Sequence, residues 1–235
     1  MINLSVPEKI EEMSGTASSA TPYIPFGVNN LFPNYLAEVS RLSPTHRSIL
    51  GQKKILSVGK EFQSQSESLM SFVDDVNNGE SLRDIYGKMM FDYYCFGNAY
   101  LEIVKHKNGI NLYHIDATKV RLAKDMKHVY VHGDWANYNS TRKDQLILPM
   151  IHFKDYEPTF SYYGMPDFIG SLSWLAIDNL LQKYNKTKFD NNFMPSAIVE
   201  INGDMGEEEA EALVKDAQAR WTGKNNNSKI LFLVK

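Results

Sequence analysis

His128 and His132 stand two strand repeats apart in HVYVH, which places both on one face of an extended chain, and with Asp134 they could be drawn as a metal site. The alternative is a pair of half-exposed strand histidines, because no cysteine or third ligand sits at metal-binding spacing. Asp74-Asp75 and Glu207-Glu208-Glu209 offer paired carboxylates, yet each also reads as a solvated helix end. Gly223-Lys224-Asn225 is the nearest approach to a phosphate loop, and it lacks both the upstream glycine and the Ser/Thr that would meet magnesium. No G-x-S-x-G turn is present. Cys95, the one cysteine, lies in the apolar run MMFDYYCFG, where a small core residue is expected. The sequence carries no enzyme signature, and neither a metal nor a cofactor is expected.

A further set of groups is cationic. Lys183, Lys186 and Lys188 cluster near the C-terminal end of a long helical segment, where cations complement the helix dipole. Lys183 and Lys186 admit a second reading, as a belt of charge facing a polyanion if the chain were repeated around a ring. The net charge of −3 over 235 residues argues against a dedicated tight nucleic-acid binder but leaves room for a surface that DNA merely passes. With 43% apolar and 23% charged residues the chain can bury a core. No apolar run reaches the roughly 18 residues of a membrane-crossing helix, and no signal-peptide pattern opens the chain. The expectation is a protein without a membrane partner, made and used in the cytoplasm or leaving it by another route.

The elements that must position these groups read as α+β. Residues 1–22, rich in small and polar types, are expected to form a flexible arm. Residues 23–163 are expected to pack helices on one antiparallel sheet. Two short helices run from 33 to about 41 and from 44 to about 56, the second capped by Ser43 with Pro44 at its first position. A weaker helix spans 66 to 77, and Ser81-Leu82-Arg83-Asp84 opens another in capping-box fashion. Its expected buried stripe is Leu82, Ile85, Met89, Tyr93 and Phe96, and Gly97-Asn98 stops it. Asn108-Gly109 signals a hairpin. VRLA and HVYVHGDW are expected to continue the same sheet, to which QLILPMIHFK adds a strand interrupted at Pro149.

Residues 164–194 read as one long helix from about Pro166 to about Asn191, roughly 39 Å at 1.5 Å per residue. In its first half Phe168, Ile169, Leu172, Trp174, Leu175, Ala176, Ile177, Leu180 and Leu181 leave no clean polar face, so cover from several directions is expected. Farther along, Asp178, Gln182, Asn185 and Lys186 form one wet stripe, with Ile177, Leu181 and Tyr184 opposite. Such a rod suits a helix standing beside copies of itself. Residues 195–235 then read as a strand (SAIVEI), a helix opened by a capping box at Asp204–Glu207 and reaching Trp221, and an apolar strand (KILFLV). The chain stops on that bare strand, so the natural polypeptide is expected to continue.

The stretches PFGVNNLFPNYL, SPTHRSIL, CFGNAYLEI and, above all, the run from HFKDYEPTFSYYGMPDFIGSL through KFDNNFMPSAIVEINGDMGEEEAEAL to KILFL resemble the portal proteins of tailed bacteriophages. The resemblance covers roughly residues 21–235. It implies a ring, usually of twelve copies, at one capsid vertex, through which double-stranded DNA is packaged and ejected. Residues up to about 163 would be the wing, the long helix the first stem helix, and 195–235 the clip that meets the large terminase and later the head–tail connector. The major capsid protein would surround the ring. The resemblance implies Asp178, Gln182, Lys183, Asn185 and Lys186 near the channel, Leu172, Trp174, Leu175 and Leu181 between stems, and Glu207, Glu208, Glu209 and Trp221 at the clip's docking face. It also implies a virion component assembled in the host bacterial cytoplasm. Members of the family continue into a returning stem helix, a tunnel loop, further wing and a crown, so the resemblance implies that this sequence is an N-terminal part of such a protein.

Two rivals from other classes remain at this point. One is a non-viral scaffold, monomeric or dimeric, whose strand–helix–strand unit binds a partner. The other is a nucleic-acid-processing enzyme using Asp74/Asp75 or His128/His132 as metal ligands.

Overall fold

The computed structural model describes residues 21–27, 29–107, 109–138, 146–191, 195–201, 206, 208–209, 211–212, 215–216 and 229–234. The expected arm before residue 21, the capping box at Asp204–Glu207, and Trp221 lie outside the described residues. Two compact units are distinguished, residues 1–176 and 177–235.

In the first unit local chemistry sets the helices. Helix α1 (Phe32–Leu42) takes Pro33 in its first turn, and α2 (Pro44–Val58) starts where the Ser43 hydroxyl accepts the His46 N–H at 3.3 Å. Helix α3 (Glu67–Asp74) is short. Helix α4 (Leu82–Phe96) has its capping box: Asp84 N–H donates to Ser81 Oγ at 3.2 Å, and Ser81 N–H to Asp84 Oδ2 at 3.1 Å. It ends at Gly97, left-handed at φ 69°. Of the expected stripe, Ile85, Met89 and Phe96 are buried, while Leu82 and Tyr93 are only partly so.

The strands form two antiparallel sheets where the sequence suggested one. Strands β1 (Asn98–His106), β2 (Gly109–Ile115) and β6 (Ile151–Lys154) make a three-stranded sheet in the order β2-β1-β6. Strands β3 (Val120–Leu122), β4 (His128–Val131) and β5 (Leu146–Pro149) make a second, in the order β3-β4-β5. Two breaks divide them. Asp116 caps a 3-10 turn at Ala117–Lys119 and redirects the chain after β2. Pro149, which has no N–H for a ladder, ends β5 opposite His128, and after Met150 the chain pairs in the other sheet as β6. The hairpin closes with His106 opposite Gly109, one residue earlier than a turn centred on Asn108-Gly109 requires. In the second unit β7 (Pro195–Ile201) and β8 (Lys229–Val234) pair in parallel.

The main core of the first unit gathers α1, α4, the second sheet and residues 163–172 around Phe26, Leu36, Leu50, Tyr100 and Val120. A smaller cluster under the first sheet holds Val76, Ile85, Met89, Ala99 and Leu112. Burying one large apolar side chain contributes about 1.5–3 kcal/mol, so these clusters dominate the unit's stability. One fully buried residue is charged. Arg121 Nε donates to Asn30 Oδ1 at 2.6 Å, Nη2 to the Asn30 carbonyl at 2.5 Å, and Nη1 to the Val120 carbonyl at 2.6 Å, with the guanidinium 4.9 Å from the Trp135 ring centre. Oxygen dipoles and an aromatic face thus stand in for a carboxylate.

A lysine cannot reproduce that planar fork, so Arg121→Lys should leave buried carbonyls unpaired and lower stability by about 3 kcal/mol. A urea midpoint that falls with an unchanged slope is the expected reading; an unchanged midpoint would show that the fork contributes nothing.

Candidate functional site

The long helix α5 (Leu172–Asn191) is rooted in a contact between two stretches of main chain. Gly97 and Gly164 meet there. A Cβ on Gly97 would collide with the backbone of Met165, and one on Gly164 with the Gly97 carbonyl and the Asp155 backbone. The buried Asn98 locks this approach. Its Nδ2 donates to the carbonyls of Gly164 (2.8 Å) and Phe96 (2.7 Å), and its Oδ1 accepts from Gly164 N–H (2.8 Å) and His152 Nε2 (2.8 Å). Next to it the Tyr163 hydroxyl donates to the Ile24 carbonyl at 2.6 Å and accepts from Leu122 N–H at 2.9 Å, with its ring stacked on Phe26 at 4.2 Å. From the sequence, Gly97-Asn98 read only as a helix stop. The further role of Asn98 was visible only in that both CFGNAYLEI and SYYGMP stood out as motifs.

The root also corrects the start of the helix. Pro166 is buried at the clamp, and the backbone bonds Ile169 N–H to Pro166 O (3.0 Å) and Ser171 N–H to Phe168 O (2.7 Å) are tight i→i+3 turns. The α-helix therefore begins at Leu172, not Pro166, and its 20 residues span about 30 Å.

Two apolar faces share this helix. Leu172 is 2% exposed, and Leu175, Phe168 and Ile169 pack against the main core of their own chain. Leu172 and Leu175, both expected between sister helices, thus lie against the core of their own chain, because the first turn still rests on it. A second face, turned by about 100° or more from Leu172 on a helical wheel, carries Trp174, Ile177, Leu181 and Tyr184, with Leu180 at its border. Trp174 is 73% exposed and Leu181 54%, and Ile177, Leu180 and Tyr184 are exposed as well. The absence of a clean polar side in the sequence is the sum of these two faces. The polar stripe is present beyond the first turns: Gln182 Nε2 donates to Asp178 Oδ2 at 3.1 Å, and Lys183, Asn185 and Lys186 are exposed. Lys188 lies over the Tyr184 ring at 4.8 Å on the apolar face, and Phe189, exposed, interrupts the wet side.

The other nominated groups do not come together. His128 Nδ1 pairs with Asp125 Oδ2 at 2.6 Å, holding the Asp125 carboxyl down at about 2, whereas the His132 ring packs on Trp135 and Tyr138. Asp75 Oδ1 accepts the N–H groups of Asn77 and Gly79 in a turn after α3. Burial pushes the Cys95 thiol up to about 12, which makes it inert. Among the described residues no group of three or more His, Cys, Asp or Glu could hold a metal ion. Glu208 and Glu209 are helical and exposed, while Glu207 and Trp221 lie outside the described residues.

A family model described as phage portal protein matches residues 52–235. An uncharacterized protein of Rickettsia bellii (strain RML369-C) is 22% identical over 161 residues, 64% of this chain and 41% of that protein. The fold is similar to a chain in the neck of the native GTA particle computed with C12 symmetry, with a TM-score of 0.61, 16% identity, and coverage of 83% of this chain and 57% of that one. A chain in the virion of the native gene transfer agent (GTA) particle gives the same TM-score of 0.61 at 18% identity, with the same coverage of 83% and 57%. The chain therefore spans less than two thirds of the length of each of these relatives.

The clamp titrates. Burial holds the His152 imidazole at about 4, below its ordinary 6.5, with Lys154 adding to the effect. The unfolded chain then takes up that proton first, so stability falls as pH drops from about 6.5 toward about 4 and levels off below. His152→Gln should remove this part of the pH slope while lowering stability at neutral pH. Urea midpoints taken across that window check it, and parallel slopes for parent and variant would clear His152 of the role.

Proposed function

The chain belongs to the phage portal protein family, and on that premise we propose that it is a structural, non-catalytic subunit of a ring-shaped portal. The ring, of twelve copies, sits at one vertex of a virion capsid, assembles in the host bacterial cytoplasm, and conducts double-stranded DNA inward during packaging and outward during ejection. The exposed apolar face of α5 carries this reading. Trp174 and Leu181 protrude into water from a helix whose other apolar face is already satisfied, and a sister helix would cover them. The neck computed with C12 symmetry among the fold relatives supports a cyclic arrangement.

In that ring the wet stripe of Asp178, Gln182, Asn185 and Lys186, with Lys183 beside it, borders the passage. A channel with few strong cation–phosphate contacts lets DNA slide without sequence preference. The parallel β7–β8 unit with Glu208 and Glu209 forms the docking surface for the large terminase and, later, the head–tail connector or adaptor, and the major capsid protein encloses the ring.

Top views by electron microscopy, or particle mass, should show rings. Trp174→Ser combined with Leu181→Ser should shift them to smaller species with an unchanged melting profile, since neither side chain supports the chain's own core. Rings that persist in this variant would overturn the role given to α5. In assembled particles Lys183→Ala with Lys186→Ala should alter DNA packaging or retention and leave rings intact; parental behaviour would reduce these lysines to partners of the helix dipole.

A further inference from the structure

A cleft of about 730 Å³ opens on the first unit between α1, α2, α4 and the segment leading from β2 into the 3-10 turn. Its walls carry five basic side chains, Arg41, Arg47, Lys54, Lys88 and Lys119, against two carboxylates, Asp92 and Asp116. Both carboxylates are committed. Asp92, buried at the floor, accepts from Ala117 N–H at 3.0 Å and pairs with His114 Nε2 at 2.8 Å. Asp116 Oδ1 accepts from the Thr118 N–H and hydroxyl at 2.8 and 2.7 Å. Among the cations Lys88 pairs with Glu80, but Arg41, Arg47, Lys54 and Lys119 form no ion pair among the described residues.

Two of these cations lie against α4. The Arg47 guanidinium carbon lies 4.3 Å from the Phe91 ring centre, a cation–π contact that holds the group at the cleft wall. Lys54 crosses α4 at Gly87, a poor helix former in mid-helix, where an added Cβ would come within 3.1 Å of Lys54 Cε. The bare backbone there gives the lysine its course along the cleft wall.

We propose that this cleft binds a phosphate-bearing ligand, supplied by a nucleic-acid backbone or by a free oligophosphate. Guanidinium forks match phosphate oxygens, several cations face one space, and the volume exceeds what a single small carboxylate would fill. The cleft is lined wholly by residues between 37 and 131 of one chain.

Tripolyphosphate titrated by calorimetry and a short mixed-sequence DNA duplex followed by fluorescence anisotropy, both at low salt, are the probes. Saturable binding of at least one is expected. Arg47→Gln with Lys54→Gln should weaken it at least about tenfold, whereas Lys105→Gln, on β1 outside the cleft, should leave it unchanged. Gly87→Leu alters no charge but fills the cleft and should abolish binding; if that variant does not fold, the double glutamine variant decides. Binding of the duplex alone assigns the ligand to nucleic acid, and binding of tripolyphosphate alone assigns it to a free anion. The proposal is overturned if neither probe saturates, or if Lys105→Gln weakens binding as much as the double variant.

Discussion

Backbone lies on backbone where Gly97 meets Gly164 and Met165, and no side chain could occupy either glycine without driving the strands apart. That approach would strand several peptide groups away from water, and Asn98 satisfies them with both ends of its amide. The end of α4, the start of β1 and the root of α5 are thereby fixed to one another. Tyr163 extends the lock to Ile24 and Leu122, so segments far apart in sequence converge on one small polar knot inside an apolar core.

What the knot holds is a helix with divided allegiance. One apolar face, led by Leu172, completes the core of its own chain, while another, led by Trp174 and Leu181, is left to water. The cationic cleft is a separate matter: it is lined within residues 37–131, and its forces are coulombic where those of α5 are hydrophobic.

Much of the fold was legible because short-range chemistry decides it. The Ser43 cap, the Ser81–Asp84 box and the Gly97 stop all read correctly from neighbouring residue types. The division into two sheets did not, since a single proline and a capped 3-10 turn decide it and both look like ordinary interruptions in a strand pattern. Arg121 escaped notice because nothing local marks an arginine that will be swallowed whole and fed by carbonyls. On α5 the composition of the wheel was readable, but not which greasy residues belong to which face; that depends on where the clamp lets the helix begin. So Leu172 and Leu175 lie against the chain's own core, while Trp174 and Leu181 are exposed.

Pro149 and Ile151 are paired into different sheets with only Met150 between them. Two trans peptide steps reach at most about 7 Å, so this link is a leash too short for a hinge. The sheets can part only by tearing β5 from β4 or β6 from β1. A displacement of one sheet is therefore passed straight to the other through this link.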